Sequence, residues 1–306
     1  ENRRDREEGI EAARDFRPDV LLIEHYPFGR RKFGSELEPL IDQLRGRARL
    51  AVSLRDILVE RDDPKKAAKV VALVRRSFDR VFVHGDRSVV DLAATFPAAA
   101  AIADRIVYTG YVVDSRPGPE APSGDGEDEI VVSIGGGAVG ETLLGAAVAA
   151  APTASLARYR WRLLAGANLA EPAFRRLRAG ASKNTVVERA RPDFRSLLGR
   201  AALSISQAGY NTVMDVLAAG CRGLVVPFAG GAESEQMSRA RIFEQRRLLH
   251  VLDEGALTAE SLAAAAERAL TALRPKTSRL SIDLDGIAAT ARLIDELARL
   301  PGHERQ

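Results

Sequence analysis

The stretch Ile130-Val131-Val132-Ser133-Ile134-Gly135-Gly136-Gly137-Ala138-Val139-Gly140-Glu141 decides how this chain is read. Its β-branched start predicts a buried strand, and the Gly-x-Gly-x-x-Gly that follows opens an Ala/Leu segment of helical character. In a strand–turn–helix of this kind, backbone N–H groups at the helix N-terminus face outward. Residues without side chains let an anion approach them, and the helix dipole adds partial positive charge. Gly135, Gly136 and Gly137 are therefore candidates for a diphosphate-binding turn. The same turn also serves where a strand and a helix only need to pack closely, and both readings stand on this motif alone. A nicotinamide site would add a carboxylate about 20 residues on, at the end of the next strand. The strand expected at 162–164 runs instead into Ala165-Gly166-Ala167-Asn168.

Outward from this unit, short β-branched runs alternate with longer Ala/Leu/Arg segments in both halves, the pattern of βα units around parallel sheets. The first half predicts strands at 20–23, 50–54, 80–83 and 106–109, with helices near 33–44, 64–77 and 88–96. The second predicts strands at 130–134, 162–164, 185–187, 203–206 and 223–226, closing with helices near 260–273 and 286–300. Between them, residues 114–129 are rich in Pro, Gly and acidic residues and read as a linker. The expected fold class is α/β, with two Rossmann-like, doubly wound parallel-sheet lobes at 1–113 and 130–285. Four strands are few for a whole lobe, because parallel strands need neighbours at their edges. Together with an N-terminus lacking Met, this leads to the expectation that the first lobe is incomplete.

The remaining composition narrows the function. A chain of 306 residues with 46% hydrophobic and 28% charged residues is neither disordered nor a small disulfide scaffold. A net charge of +3 and 5% aromatics do not make the basic, aromatic-lined groove that nucleic acid requires. No apolar run is long enough to span a bilayer, and residues 1–8 do not form a signal peptide. The single cysteine, Cys221, fits a reducing compartment, so a cytoplasmic setting is expected.

Two further segments carry chemistry. Ser206-Gln207-Ala208-Gly209-Tyr210-Asn211-Thr212-Val213-Met214-Asp215 reads as strand, turn and helix. Gly209 supplies the turn, Asn211 and Thr212 stand where helix-start donors point at an anion, and Asp215 follows about one turn later. A carboxylate there suits vicinal ribose hydroxyls, or simply complements the helix dipole. Pro227-Phe228-Ala229-Gly230-Gly231-Ala232-Glu233-Ser234-Glu235-Gln236 places Glu235 and Gln236 in a polar loop after a strand. Such groups suit sugar hydroxyls, or cap a solvated helix start.

Taken together, these segments resemble the donor-binding half of GT-B glycosyltransferases, in particular the family 28 C-terminal domain that includes the lipid II N-acetylglucosaminyltransferases. The resemblance covers residues 130–255 best. It implies diphosphate binding for Gly135, Gly136, Gly137, Gln207, Gly209, Asn211 and Thr212, with Gln207 standing where the family carries His. It further implies a ribose contact for Asp215, which replaces Glu, sugar contacts for Glu235 and Gln236, and a base contact near Arg191. The last helix, within 286–306, is expected to return to the N-terminal lobe. The implied activity is transfer of a sugar from a nucleoside diphosphate donor, a UDP-sugar, to an acceptor hydroxyl, inverting and without metal or cofactor. The acceptor and the catalytic base are not named by the sequence. Glu24, Arg55 and Asp56, just past first-lobe strands, are the acceptor-side candidates, and each also suits a structural ion pair. Arg30-Arg31-Lys32 suits an anionic acceptor or the inner face of a membrane, or a solvated surface. Asp283-Leu284-Asp285 spells a metal-site tripeptide common by chance, and the four histidines lack ligand spacing. Two alternatives share this architecture: a nucleotide-sugar 2-epimerase, and a donor-binding subunit whose partner supplies the missing N-terminal part.

Overall fold

A computed structural model describes residues 2–58, 63–114, 116, 118–135, 140–230, 235–275 and 281–300. The chain divides into two compact units, Glu1–Val112 with Ile282–Gln306, and Val113–Ser281.

The first unit begins with α1 (Asn2–Phe16), β1 (Val20–Glu24), α2 (Gly34–Leu44), β2 (Arg49–Arg55), α3 (Pro64–Ser77), β3 (Arg80–His84) and β4 (Ile106–Tyr108). Its four strands pair in parallel in the order β1-β2-β3-β4. Leu50, Val52 and Leu54 of β2 and Val81 and Val83 of β3 pack with Ile41 of α2 and Val70 and Val74 of α3. The start of α3 follows local rules. Pro64 takes a first-turn position where its missing N–H costs nothing, and Asp63 accepts the N–H of Lys66 at 3.0 Å.

The helix expected at 88–96 does not form, and a short 3₁₀ turn, Leu92–Ala94, stands there instead. Asp86 and Asp91 explain the difference. Each bonds the backbone N–H two residues on, Ser88 at 2.8 Å and Ala93 at 2.9 Å, and so competes with helical bonds. Pro97 then opens the next turn.

The second unit contains β5 (Ile130–Ser133), α4 (Glu141–Ala150), β6 (Trp161–Ala165), α5 (Glu171–Ala179), β7 (Thr185–Arg189), α6 (Phe194–Arg200) and β8 (Leu203–Ser206). It continues with α7 (Tyr210–Ala218), β9 (Gly223–Val225), α8 (Glu235–Gln245), β10 (His250–Val251) and α9 (Ala259–Thr271). The sheet order is β10-β9-β8-β5-β6-β7, all parallel, which is the doubly wound pattern. Ile130, Val132, Leu163, Ile205 and Leu224 form a core on one sheet face with Leu144 of α4, Phe174 of α5 and Leu262 of α9. The two-residue β10 is absent from the sequence expectations, because so short a strand carries no periodic signal.

Residues 114–129 fold onto the second unit. Arg162, only 2% exposed, donates to Glu129 at 2.6 and 2.9 Å, to Asp125 at 2.7 Å and to Glu188 at 2.7 Å. Ala121 N donates to Ser196 Oγ at 3.0 Å, which holds the same segment against α6. Composition marks this stretch as non-helical, but its ion-pair partners lie far along the chain.

The last helix, α10 (Gly286–Arg299), belongs to the first unit, where Leu297 packs with Ala51 and Phe82. Its start is threaded tightly. Gly286 N donates to Tyr111 O at 3.0 Å, and a Cβ on Gly286 would fall 2.6 Å from Gly110 O. Asp283 and Asp285 shape this turn, with Asp283 Oδ1 accepting Asp285 N at 2.9 Å.

Candidate functional site

Beyond β5 the chain crosses to β6 on one side and later adds β8 on the other, so the connections diverge between β5 and β8. This is the switch point at which open α/β sheets leave a crevice beyond their strand ends. Ser133 and Ser206 are register partners there, so the turns that follow them leave the sheet side by side. Both hydroxyls are buried without a hydrogen-bond partner among the described residues, as is that of Ser204. These polar strand ends were not singled out from sequence, although serine closing both strands was the available signal.

The two glycines described in the first turn have different reasons to be glycine. Gly140 has φ 132°, and a Cβ there would lie 2.6 Å from Ile134 Cβ, so packing alone demands it. Gly135 has φ 63°, but the nearest atom to a Cβ there is Thr212 Oγ1 at 4.0 Å. Among the described residues the space above Gly135 is therefore open, and it faces the start of α7. Gly136 and Gly137 lie outside the described residues.

Gly209 is the N-cap of α7, with no side-chain cap, and Val213 N makes the helical bond back to Gly209 O at 3.0 Å. The N–H groups of Asn211 and Thr212 precede that bond and have no acceptor within the helix. Asn211 is exposed, while Thr212 and Gln207 are half-buried. Amides, hydroxyl and dipole thus converge with the Gly135 turn.

Gln236 joins the neighbouring loops. Its Oε1 accepts both Ala208 N at 3.0 Å and Phe228 N at 3.1 Å, fixing the turns after β8 and β9 relative to each other. Glu235 accepts from Arg239 Nη2 at 2.7 Å. Arg239 is fully buried and also donates to Ala208 O at 3.1 Å. Sequence reasoning missed Arg239, whose signal was its position one helical turn after Glu235.

Asp215 is half-buried on α7, and no described residue hydrogen-bonds its carboxylate. Burial pushes its pKa up, Arg195 opposes that shift, and Asp114 adds to it. Arg191 is differently placed. Its guanidinium donates to Asp193 at 2.5 and 2.9 Å, Asp125 at 2.7 Å and Glu188 at 3.3 Å, which raises its own pKa and lowers that of Asp193.

In the first unit, Glu24 pairs with Arg30 at 2.9 Å near the surface, and Arg55 is half-buried at the end of β2. Asp56 is 1% exposed and accepts Ile57 N at 2.9 Å, so it is built into the strand-end turn. His84 bridges β2 and the residue that follows β4: Nε2 meets Ser53 Oγ at 2.7 Å and Nδ1 meets Thr109 Oγ1 at 2.9 Å. Thr109 Oγ1 donates to Gly110 O at 2.9 Å, which leaves it to accept from Nδ1–H while Ser53 donates to Nε2. Burial first, then the His25 charge, pushes the His84 pKa down to about 4.

Residues 131–280 match the model of the glycosyltransferase family 28 C-terminal domain. No curated protein sequence matches the chain. Among solved structures, it is similar to CalG4, the calicheamicin glycosyltransferase, at 18% identity and TM-score 0.64, over 95% of this chain and 75% of that one. It is similar to MurG of Acinetobacter baumannii at 16% identity and TM-score 0.59, over 96% of this chain and 79% of that one. It also resembles MnaA of S. aureus, solved with UDP, at 12% identity and TM-score 0.65, over 100% of this chain and 83% of that one. At such identities the likeness is one of fold, the GT-B fold, in which two α/β units are each built on a parallel sheet. The sequence match falls on the unit whose sheet carries the switch point, and that unit is similar to the glycosyltransferase family 28 C-terminal domain.

Proposed function

We propose that this chain is a glycosyltransferase whose second unit holds a UDP-sugar and passes the sugar to an acceptor hydroxyl, inverting and without a metal. The convergence of the Gly135 turn with the start of α7 at the switch point carries this reading. Gln207, Asn211 and Thr212 would take the diphosphate, and Asp215 the ribose hydroxyls. Glu235 and Gln236 would meet the sugar. Gln236 Oε1 is already committed to two amides, so its NH₂ is the group left for a sugar oxygen. The guanidinium of Arg191 is held by three acids, so the base would meet an ordered backbone there rather than a free cation.

Inverting transfer needs charge stabilisation on the departing diphosphate and a base on the acceptor hydroxyl. Helix-start amides would supply the first. Of the acceptor-side candidates, Glu24 has the accessible carboxylate, whereas Asp56 is buried in its turn. The single cysteine, buried Cys221, fits action in the reducing cytoplasm.

A 2-epimerase is the second reading, favoured by the fold likeness to MnaA and to a putative UDP-N-acetylglucosamine 2-epimerase from Listeria monocytogenes, TM-score 0.60. Incubation with UDP- and dTDP-sugars separates the readings. Sugar release or transfer supports the first, inversion at C2 the second, and saturable binding without turnover a donor-binding subunit awaiting a partner. If no nucleotide sugar bound, every one of them would fail.

A further inference from the structure

The first unit holds a cavity whose lining takes no part in the proposed donor site. Its volume is about 540 Å³, within the range of roughly 300–1,000 Å³ typical of small-molecule sites. It lies between the loop after β1, the start of α2 and one face of α3. The α3 wall follows from helical spacing, since Lys66, Lys69, Val70 and Leu73 share a face.

The lining combines two properties. Val70 and Pro27 are buried and Leu73 half-buried, giving an apolar wall. Gly34 keeps the α2 side low, because a Cβ there would already stand 3.4 Å from Tyr26 Oη. That hydroxyl donates to Glu38 at 2.7 Å, tying down the one carboxylate of the described lining.

Against this acid stand Arg31, Lys66, Lys69 and Arg76. Lys66 is paired with Asp63 at 2.7 Å and Arg76 with Asp42 at 3.5 Å. Arg31 and Lys69 make no ion pair among the described residues. Positive charge gathered around a concavity repels itself and is relieved by an anion. An inorganic anion would have no use for the apolar wall, and a neutral apolar molecule none for the cations.

We propose that this cavity binds one molecule of a phosphate monoester of an aliphatic alcohol. The dianionic head sits between Arg31 and Lys69, and the chain lies along Val70, Leu73 and Pro27. This site is independent of the donor reading, because every residue in it belongs to the first unit.

Calorimetric titration of the chain with n-octyl phosphate, below its micellar concentration, tests this beside inorganic phosphate and n-octyl glucoside. The expected result is one site per chain, with octyl phosphate bound about tenfold or more tighter than either control. Lys69→Met and Leu73→Ser should each weaken it about fivefold or more, while Lys65→Ala, on the same helix outside the lining, should leave it within about twofold. Circular dichroism confirms folding, and if Leu73→Ser unfolds, the contrast between Lys69→Met and Lys65→Ala decides. Equal binding of either control overturns the proposal, as does an equal loss in Lys65→Ala. Adsorption to phosphatidylglycerol vesicles without saturable octyl phosphate binding also overturns it, since that marks a charged surface rather than a site.

Discussion

Gly135 and Thr212 face each other across the two central turns of the six-stranded sheet, with 4.0 Å between a Cβ built on the first and Oγ1 of the second. No other contact within 4 Å is made to that Cβ by the described residues beyond its chain neighbours, so a side chain at 135 would enter the opening itself. In Gly135→Val we expect UDP-sugar affinity to fall by about tenfold or more. The left-handed backbone should cost about 1–2 kcal/mol of stability. Calorimetry paired with thermal melts measures both, and full affinity in a folded variant would sink the diphosphate assignment.

Asp215→Asn should weaken UDP-sugar binding by about tenfold, the loss of charge-assisted hydrogen bonds to ribose. Burial holds the free carboxyl above the ordinary range, whereas ribose hydroxyls favour the ionised form. Binding therefore lowers this pKa, so affinity rises as pH climbs through the pKa of the free protein. Affinity measured against pH should show this slope in the parent and lose it in Asp215→Asn.

Gln236→Leu leaves Ala208 N and Phe228 N without their acceptor and should cost about 2 kcal/mol in urea unfolding. Gln236→Glu keeps an acceptor oxygen and should retain most of that stability. If sugar binding nevertheless falls in Gln236→Glu, the lost NH₂ is responsible.

Arg162→Met leaves Glu129, which is 1% exposed, with only the longer 3.5 Å pairing to Arg160 among the described residues, and should destabilise the chain by about 3 kcal/mol. Adding Glu129→Gln should recover much of the loss, because the penalty comes from a buried carboxylate deprived of its two shortest charge-assisted bonds. Denaturant midpoints of the single and double variants check this.

His84 contributes a pH dependence of defined sign. Its folded pKa of about 4 lies below the ordinary 6.5, so between these values the unfolded chain binds more protons. Stability therefore falls as pH drops from 6.5 towards 4, by as much as about 3 kcal/mol. Comparing unfolding free energies of the parent and His84→Gln across that window isolates the effect, and parallel curves would count against it.

Local sequence was legible where local rules decide. Helix α3 runs Pro64–Ser77, as expected, because Asp63 and Pro64 fix its start and apolar spacing fixes its buried face. The alternation of apolar runs with Ala/Leu/Arg segments gave the α/β class and the positions of most strands. The expectation failed at 88–96, where Asp86 and Asp91 redirect the backbone.

The sequence by itself determined that Ile130 starts a strand, that a glycine turn and helix follow, and that a second strand–turn–helix lies at 203–218. Only the tertiary structure decided that β5 pairs with β8, so that Gly135 meets Thr212. It alone bound the 114–129 segment through Arg162 and joined Gln236 to two turns. The physical reason is range. Turn and helix preferences act between residues a few positions apart, whereas strand neighbours and buried ion-pair partners are selected by packing among residues distant in the chain.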